Sequence, residues 1–446
     1  MRELLDHRAH GERLRDLWMG LCWVAPVAGL AGSASALFLW SLDRVTQWRF
    51  EHPALLYLLP MAGVLIVLLY QRWGGRSDRG TNLILEEIHQ PGGGVPLRMA
   101  PLVLLTTLMT HLFGGSAGRE GTAIQMGGGL AGGFIGSCRV PERHRRMLLM
   151  AGVAAGFGSV FGTPLAGAVF ALEVLAIGRM RYEHLLPCLW AGLLGDLACS
   201  VWGVHHTAYH IVVPDLPGGH LNLLLLAKAA LAGVLFGWTS LLFSETTHEL
   251  GRQWKRWIPQ PWLRPVVGGV IVILLTWILG TRSYLGLGVT SPDPGAVTIL
   301  SSFEAGGATP WSWWWKLIFT AVTLSSGFKG GEVTPLFFIG AALGNALSGP
   351  LGVPPDLFAG LGFVAVFAGA SNTPLACTLM GIELFGSEHA AYLAVACFVA
   401  YQFSGHTGIY GSQRVATPKA NAEGPASDQT LSEWRKRPDS RSRDPG

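Results

Sequence analysis

Charge is scarce in this 446-residue chain: lysine, arginine, aspartate and glutamate together supply 13% of it, about half of the ~25% usual in soluble globular proteins. So little charge cannot cover the surface of a soluble fold of this length, which excludes an ordinary soluble protein of several domains. The 50% apolar content excludes a disordered chain just as firmly. A formal net charge of +4 gives no sign of a nucleic-acid partner. Metal-binding spacings such as Cys-x-x-Cys are absent. The six cysteines (Cys22, Cys138, Cys188, Cys199, Cys377, Cys397) are scattered through apolar stretches and read as inert small hydrophobes, so no metal and no cofactor is expected. No short apolar core with a cleavage site follows the charged N-terminal arm, and a cleaved leader is not expected.

What is present is apolar sequence in quantity, with 60 glycines and 17 tryptophans and a mean hydropathy of +0.38. Apolar segments run over Leu17–Leu42, Ala54–Tyr70, Ala100–Gly115, Met147–Ile177, Leu185–Val204, Leu221–Ser244, Trp262–Gly280, Trp311–Gly327, Thr334–Ser348, Leu357–Phe385 and Ala390–Phe403. Some match the ~20 residues of a spanning helix, whereas others are too short, too long or broken by glycine. Broken helices are tolerated at membrane depth only where they are buried in protein or line a cavity. The pattern predicts an all-α polytopic membrane protein with a transport pathway, embedded in a lipid bilayer.

Basic residues set the expected orientation. Arg2, Arg8, Arg13 and Arg15, the loop Arg139/Arg143/Arg145/Arg146, the loop Arg252/Lys255/Arg256 and the tail Arg435/Lys436/Arg437 are positive, while 205–220 and 284–310 carry neither lysine nor arginine. The positive-inside rule places the first set in the cytoplasm, with both termini, and the second outside a bacterial-type inner membrane. The expected organisation is an amphipathic cytoplasmic arm over 1–16, a membrane domain over 17–413 and a polar, disordered tail over 414–446, too short for a regulatory domain.

The membrane domain repeats itself. Thr163-Pro164-Leu165-Ala166, followed by Glu173, recurs 210 residues later as Thr373-Pro374-Leu375-Ala376, followed by Glu383. Gly115, Gly118, Glu120, Thr122, Gly128 and Gly132 match Gly327, Gly330, Glu332, Thr334, Gly340 and Gly344 at an offset of 212. Duplicated halves, here about 17–205 and 221–413, with interrupted segments at matching places are the pattern of secondary transporters, whose site lies between the halves. Glu173 and Glu383, near helix ends in both halves, read as caps or paired charges.

Two glycine-rich breaks carry the chemistry. In Gly114-Gly115-Ser116-Ala117-Gly118-Arg119-Glu120-Gly121-Thr122 the glycines let the backbone turn, and a helix begins near Glu120. Its N-terminus carries partial positive charge, so Glu120 either caps it or occupies an anion site. An ionisable residue at membrane depth is a functional candidate by default. Ser116 in a nucleophile elbow would need a strand before it and a facing histidine; only His111 is near, and on the same segment. The second break is Gly327-Phe328-Lys329-Gly330-Gly331-Glu332-Val333-Thr334-Pro335, with a proline suited to a first helical turn. Gly80-Thr81-Asn82-Leu83-Ile84 and Ile409-Tyr410-Gly411-Ser412-Gln413 are further turns, ordinary when taken alone.

Together these residues resemble the CLC chloride channels and chloride/proton antiporters over about Leu17 to Gln413. Gly118-Arg119-Glu120-Gly121 is similar to that family's Gly-Lys/Arg-Glu-Gly-Pro signature, Gly331 to Pro335 to its Gly-x-Phe-x-Pro signature, and Tyr410 falls at its central tyrosine. The resemblance implies a homodimer of two independent pores, each subunit made of two inverted halves of tilted, partial helices. It also implies Glu120 as the gating and proton-coupling carboxylate. Thr81, Asn82, Gly121, Val333, Thr334 and Tyr410 would line the anion path. The departures are Thr122 for the signature proline, Thr81 for the anion-binding serine, Val333 for the phenylalanine and Val174 for an inward-side proton-relay glutamate. Such a set is similar to the fluoride-exporting branch, although that branch often has methionine where Thr81 stands. Threonine and tyrosine hydroxyls suit a small, strongly hydrated anion, whose lost water must be offset by short, directional donors. The expectation is therefore a fluoride/proton antiporter and not an enzyme. A chloride/proton antiporter or chloride channel of the same fold is the alternative, and an intramembrane serine enzyme a remote one.

Overall fold

The computed structural model describes residues 7–212, 222–419 and 429–435, with side chains from 18 onward except that of residue 19. The arm expected over 1–16 therefore lies largely outside the described side chains, as do 213–221 between the halves and the tail over 420–428 and 436–446. Almost everything described is helix. The first half contains α1 (His7–Glu51), α2 (Leu59–Leu69), α3 (Thr81–His89), α4 (Met99–Leu112), α5 (Glu120–Ser137), α6 (Glu142–Phe161), α7 (Pro164–Glu173) and α8 (Leu185–Val201). The second contains α9 (Leu223–Trp257), α10 (Leu263–Leu279), α11 (Ser312–Ser325), α12 (Val333–Leu351), α13 (Pro355–Ser371), α14 (Pro374–Phe385) and α15 (Ala390–Phe403). Five helical stretches are long and apolar enough to cross a membrane; α4, α7, α10, α13 and α14 are apolar but shorter. Their mixed lengths follow from glycine and proline breaks inside apolar sequence.

Two long apolar runs are each two helices. Met147–Ile177 divides at Gly162 (φ 70°) and Leu357–Phe385 at Asn372 (φ 58°), the same place in both repeats. Glycine takes a left-handed backbone at no steric cost, and asparagine tolerates it. Pro164 and Pro374 then open α7 and α14, where a missing N–H costs nothing.

The halves lock to each other twice, each time reciprocally. Gly118 N–H donates to Gly331 O at 2.5 Å and Gly331 N–H to Gly118 O at 2.8 Å, an antiparallel bridge between the two breaks. Glu173, ending α7, accepts from Leu375 N–H (3.1 Å) and Ala376 N–H (2.8 Å) at the start of α14. Glu383 in α14 accepts from Leu165 N–H (2.9 Å) and Ala166 N–H (2.8 Å) at the start of α7. Each carboxylate thus caps the positive end of the opposite repeat's helix. Glu173→Gln is expected to lower stability by about 1 kcal/mol and to leave the proton-to-anion ratio of transport unchanged. Thermal unfolding and coupled flux on one preparation check this; a changed ratio would make Glu173 a relay.

Tail order begins where disorder was expected. β1 (Ala176–Ile177) pairs in parallel with β2 (Arg414–Val415), which pairs antiparallel with β3 (Gln429–Thr430). The short helix α16 (Leu431–Trp434) follows, opened by a Thr430/Glu433 capping box. Leu431 and Trp434 are buried with Ile177 and Val415, and Arg435 reaches Glu245 at 2.6 Å. Among the described residues of 414–446, Val415, Leu431 and Trp434 are the buried apolar anchors in an otherwise polar stretch. Arg146, which donates to His89 O, lies on this same side, since His89 in turn contacts Leu175 O next to β1. This side is called the arginine-bearing face below.

Candidate functional site

The bridge between Gly118 and Gly331 brings two helix N-termini, those of α5 and α12, to one point in the interior. A Cβ on Gly118 would stand 2.9 Å from Thr334 N and 3.0 Å from Glu120 Oε2, so only glycine permits this approach. Glu120 has no solvent exposure. Its carboxylate accepts from Thr334 N–H at 2.9 Å and from Arg119 N–H at 3.1 Å. The Thr334 hydroxyl also donates to it, 2.6 Å from one oxygen and 2.7 Å from the other. Arg119 Nε stands 3.4 Å from Oε1. Glu120 therefore does not cap its own helix. It sits on the first turn of α12, where orphan N–H groups and the helix dipole favour negative charge.

Cavities approach this plug from two sides. On the arginine-bearing side a cavity of about 180 Å³ is lined by Thr81, Asn82, Lys329, Glu332 and Tyr410, among others. On the opposite side a cavity of about 1040 Å³ reaches Arg119 and is flanked by Asp43, Trp202, His205 and His206. Neighbours of the buried Glu120 line both cavities: Arg119 the larger, and Glu332 the smaller.

Thr81, Asn82 and Tyr410, predicted from separate turns, thus share one cavity. Tyr410 is buried, and its hydroxyl has no hydrogen-bond partner among the described residues. Asn82 Oδ1 accepts from Ser412 N–H at 3.0 Å, tying α3 to the tyrosine's segment. Thr334 is not among the residues lining that cavity, and its hydroxyl is engaged by Glu120. Gly121 and Val333 are placed differently. They stand at the starts of α5 and α12 without lining the described cavity, and the Val333 side chain is fully buried in the core.

One participant was missed. Glu332 lines the cavity with Tyr410, and its Oε2 would be 3.7 Å from a Cβ on Gly121, beside the helix that Glu120 opens. The signal was available, because Glu332 is the repeat partner of Glu120 at the 212-residue offset. Val174 is buried in the core at the end of α7 and offers no titratable group. The serine-enzyme geometry is not formed: Ser116 Oγ pairs with Thr320 Oγ1 at 2.9 Å, and the His111 ring contacts Gly118 O at 3.5 Å.

Comparisons with known proteins agree with this geometry. Residues 62–405 match the family described as voltage gated chloride channel. A chloride/fluoride channel protein of Pseudomonas syringae pv. tomato is 52% identical over 410 residues, covering 90% of this chain and 87% of that protein. A proton/chloride exchange transporter of Vibrio cholerae is 27% identical over 65% of this chain and 64% of its own length. Among solved structures, a CLC-type fluoride/proton antiporter superposes with a TM-score of 0.84 at 34% identity, covering 90% of this chain and 98% of that one. A slow cyanobacterial chloride/proton antiporter superposes at 0.73 with 19% identity over 86% and 94%, a likeness of fold.

Proposed function

The chain belongs to the voltage-gated chloride channel family, and from that premise we propose that it exchanges fluoride for protons, moving fluoride out of the cytoplasm. The observation that carries this reading is the Glu120 carboxylate, seated on donors that would otherwise hold an anion. When Glu120 is charged it fills the anion position. Once protonated it loses its attraction for the α12 N-terminus and swings away, and fluoride takes over the Thr334 donors. One group therefore carries the proton in one direction and admits the anion in the other.

Fluoride suits the donors. The hydroxyls of Thr81, Thr334 and Tyr410, the Asn82 amide and the peptide N–H groups at the starts of α5 and α12 (Gly121 and Val333) are short, hard and directional. Hydrogen fluoride titrates in the carboxylate range, so proton exchange between it and a glutamate is close to balanced. Glu332 stands on the arginine-bearing side of the plug and would hand protons between Glu120 and the cytoplasm, in place of the absent group at Val174. Each pH unit of gradient adds about 1.4 kcal/mol to the driving force for export.

The arginine-bearing face is cytoplasmic in this reading, with both termini on it, in the inner membrane. Leu193, Leu197 and Val201 of α8 and Phe398 and Phe403 of α15 remain exposed on the single chain; lipid and the second subunit of a homodimer would cover such apolar surface.

Reconstitution into liposomes, with fluoride- and chloride-selective electrodes and a pH probe, tests the proposal. Fluoride release should drive proton movement the opposite way, with chloride release much slower. Chloride release without a pH change would favour the chloride-channel alternative. In the same assay Thr81→Met should keep fluoride selectivity, since the related branch carries methionine there; a switch to chloride preference would count against the fluoride assignment.

A further inference from the structure

Among the described residues, two buried basic side chains on the side away from the arginine-bearing face have no carboxylate partner. Arg49, near the end of α1, is 8% exposed and Lys316, in α11, is 0% exposed. Among the described residues neither forms an ion pair with a carboxylate. Isolated buried charge costs several kcal/mol per ion unless paired or fully hydrogen-bonded. Lys316 Nζ is partly satisfied, donating to Gly286 O at 2.7 Å and Tyr284 O at 3.2 Å. Arg49 is not: its Nε is buried without a partner, while its Nη2 lies 2.9 Å from where a Cβ on Gly286 would stand. His111 Nδ1, beside the same glycine, is likewise buried and unpartnered. Arg49, His111 and Lys316 thus converge on Gly286.

Beside Arg49 is a small cavity of about 40 Å³ whose wall includes Arg282, Thr290 and Ser291. A cavity of this size has room for a water-sized monovalent ion. Its polar wall holds two guanidinium groups, hydroxyls and one carboxylate, Asp293; Arg49 is buried, whereas Arg282, Thr290 and Asp293 are exposed to solvent at the mouth. Guanidinium groups sharing a cavity repel unless an anion lies between them.

We infer that Arg49, with Arg282, Thr290 and Ser291, forms a second anion site, separate from the Glu120 position, that holds one small monovalent anion of the halide class. The bound ion supplies the missing counter-charge for Arg49 and Lys316. The site adjoins the break that leads into α5, because Arg49 Cδ lies 3.8 Å from where a Cβ on Gly114 would stand, and His111 contacts Gly118 O. The ion is either fluoride on its way out or chloride of the outer solution. Only that question of origin rests on the transport reading above.

Bromide replaces a small halide and is located by its anomalous scattering. Crystals of the full chain soaked in sodium bromide should show a peak within hydrogen-bonding reach of Arg49 Nε. Arg282→Gln, a change at an exposed position, should weaken bromide binding there by about tenfold, as loss of one charged hydrogen bond does. Arg49→Met should abolish it; if that protein does not fold, Arg282→Gln alone decides. Displacement of the peak by fluoride assigns the exported ion, and displacement by chloride alone assigns the bulk anion, both consistent with the site. No peak at Arg49 in the unmodified protein, or an undiminished peak in Arg282→Gln, overturns the inference. Fluoride/proton exchange measured on the same preparation keeps the two readings apart: intact exchange without a peak sinks the site alone, and a peak without exchange sinks the proposed function alone.

Discussion

Glu120→Gln is expected to abolish proton coupling and leave passive fluoride flow. Glutamine nearly matches glutamate in shape and retains one carbonyl oxygen for Thr334 N–H. It carries no charge to compete with an anion and no proton to exchange. With that carbonyl at the Oε2 position, where Arg119 N–H also donates, its NH₂ group would stand at the Oε1 position, where the carboxylate accepts from the Thr334 hydroxyl and an amide nitrogen does not. The plug is therefore weaker and insensitive to pH. Proton flux driven by a fluoride gradient should fall by at least about 100-fold, in line with loss of a positioned proton-transfer group. Fluoride flow driven by voltage should persist. Liposomes with a fluoride electrode and a pH probe separate the two. Unchanged, proton-coupled exchange would remove Glu120 from its role.

Glu332→Gln should give the second-largest effect, of a different kind. Glu332 lines the cavity on the arginine-bearing side and stands apart from the bonds that hold Glu120. If it supplies protons to Glu120 from that side, its loss slows exchange without opening a leak. We expect coupled turnover to fall by about 10- to 100-fold, with little fluoride flow when no proton gradient is present. A fast, uncoupled leak would instead make Glu332 part of the barrier, and unchanged turnover would leave it as a structural residue. The contrast between a leak in one variant and slow coupled exchange in the other distinguishes gate from relay.

The breaks in the chain were legible because their cause is local. Gly118, Gly331 and Pro335 mark places where a helix must start anew, and the repeat offset pairs them before any contact is known. Thr81, Asn82 and Tyr410 could be named as one site only through resemblance, since the turns that bring them together are hundreds of residues apart. Hydropathy joined α6 to α7 and α13 to α14 because a single left-handed residue, Gly162 or Asn372, leaves no gap in an apolar run. Glu332 was passed over as a site residue because a carboxylate beside glycines reads equally well as a helix start. The order in β3 and α16 was hidden by composition, for Leu431 and Trp434 are two apolar anchors in a polar tail. Arg49 and Lys316 gave only half a signal. A lone cation in an apolar helix says that it needs a partner, and which partner it lacks is visible only in three dimensions.

Proton uptake on fluoride binding tests the central claim most directly. Calorimetric titration of the purified protein with fluoride, repeated in buffers of different ionisation heat, counts the protons taken up with each ion. If the anion and the Glu120 carboxylate compete for the α12 N-terminus, near-neutral titration of the unmodified protein should take up about one proton per fluoride, and Glu120→Gln should bind fluoride with none. Equal uptake by the two proteins, or fluoride binding by the unmodified protein without protons, would contradict it.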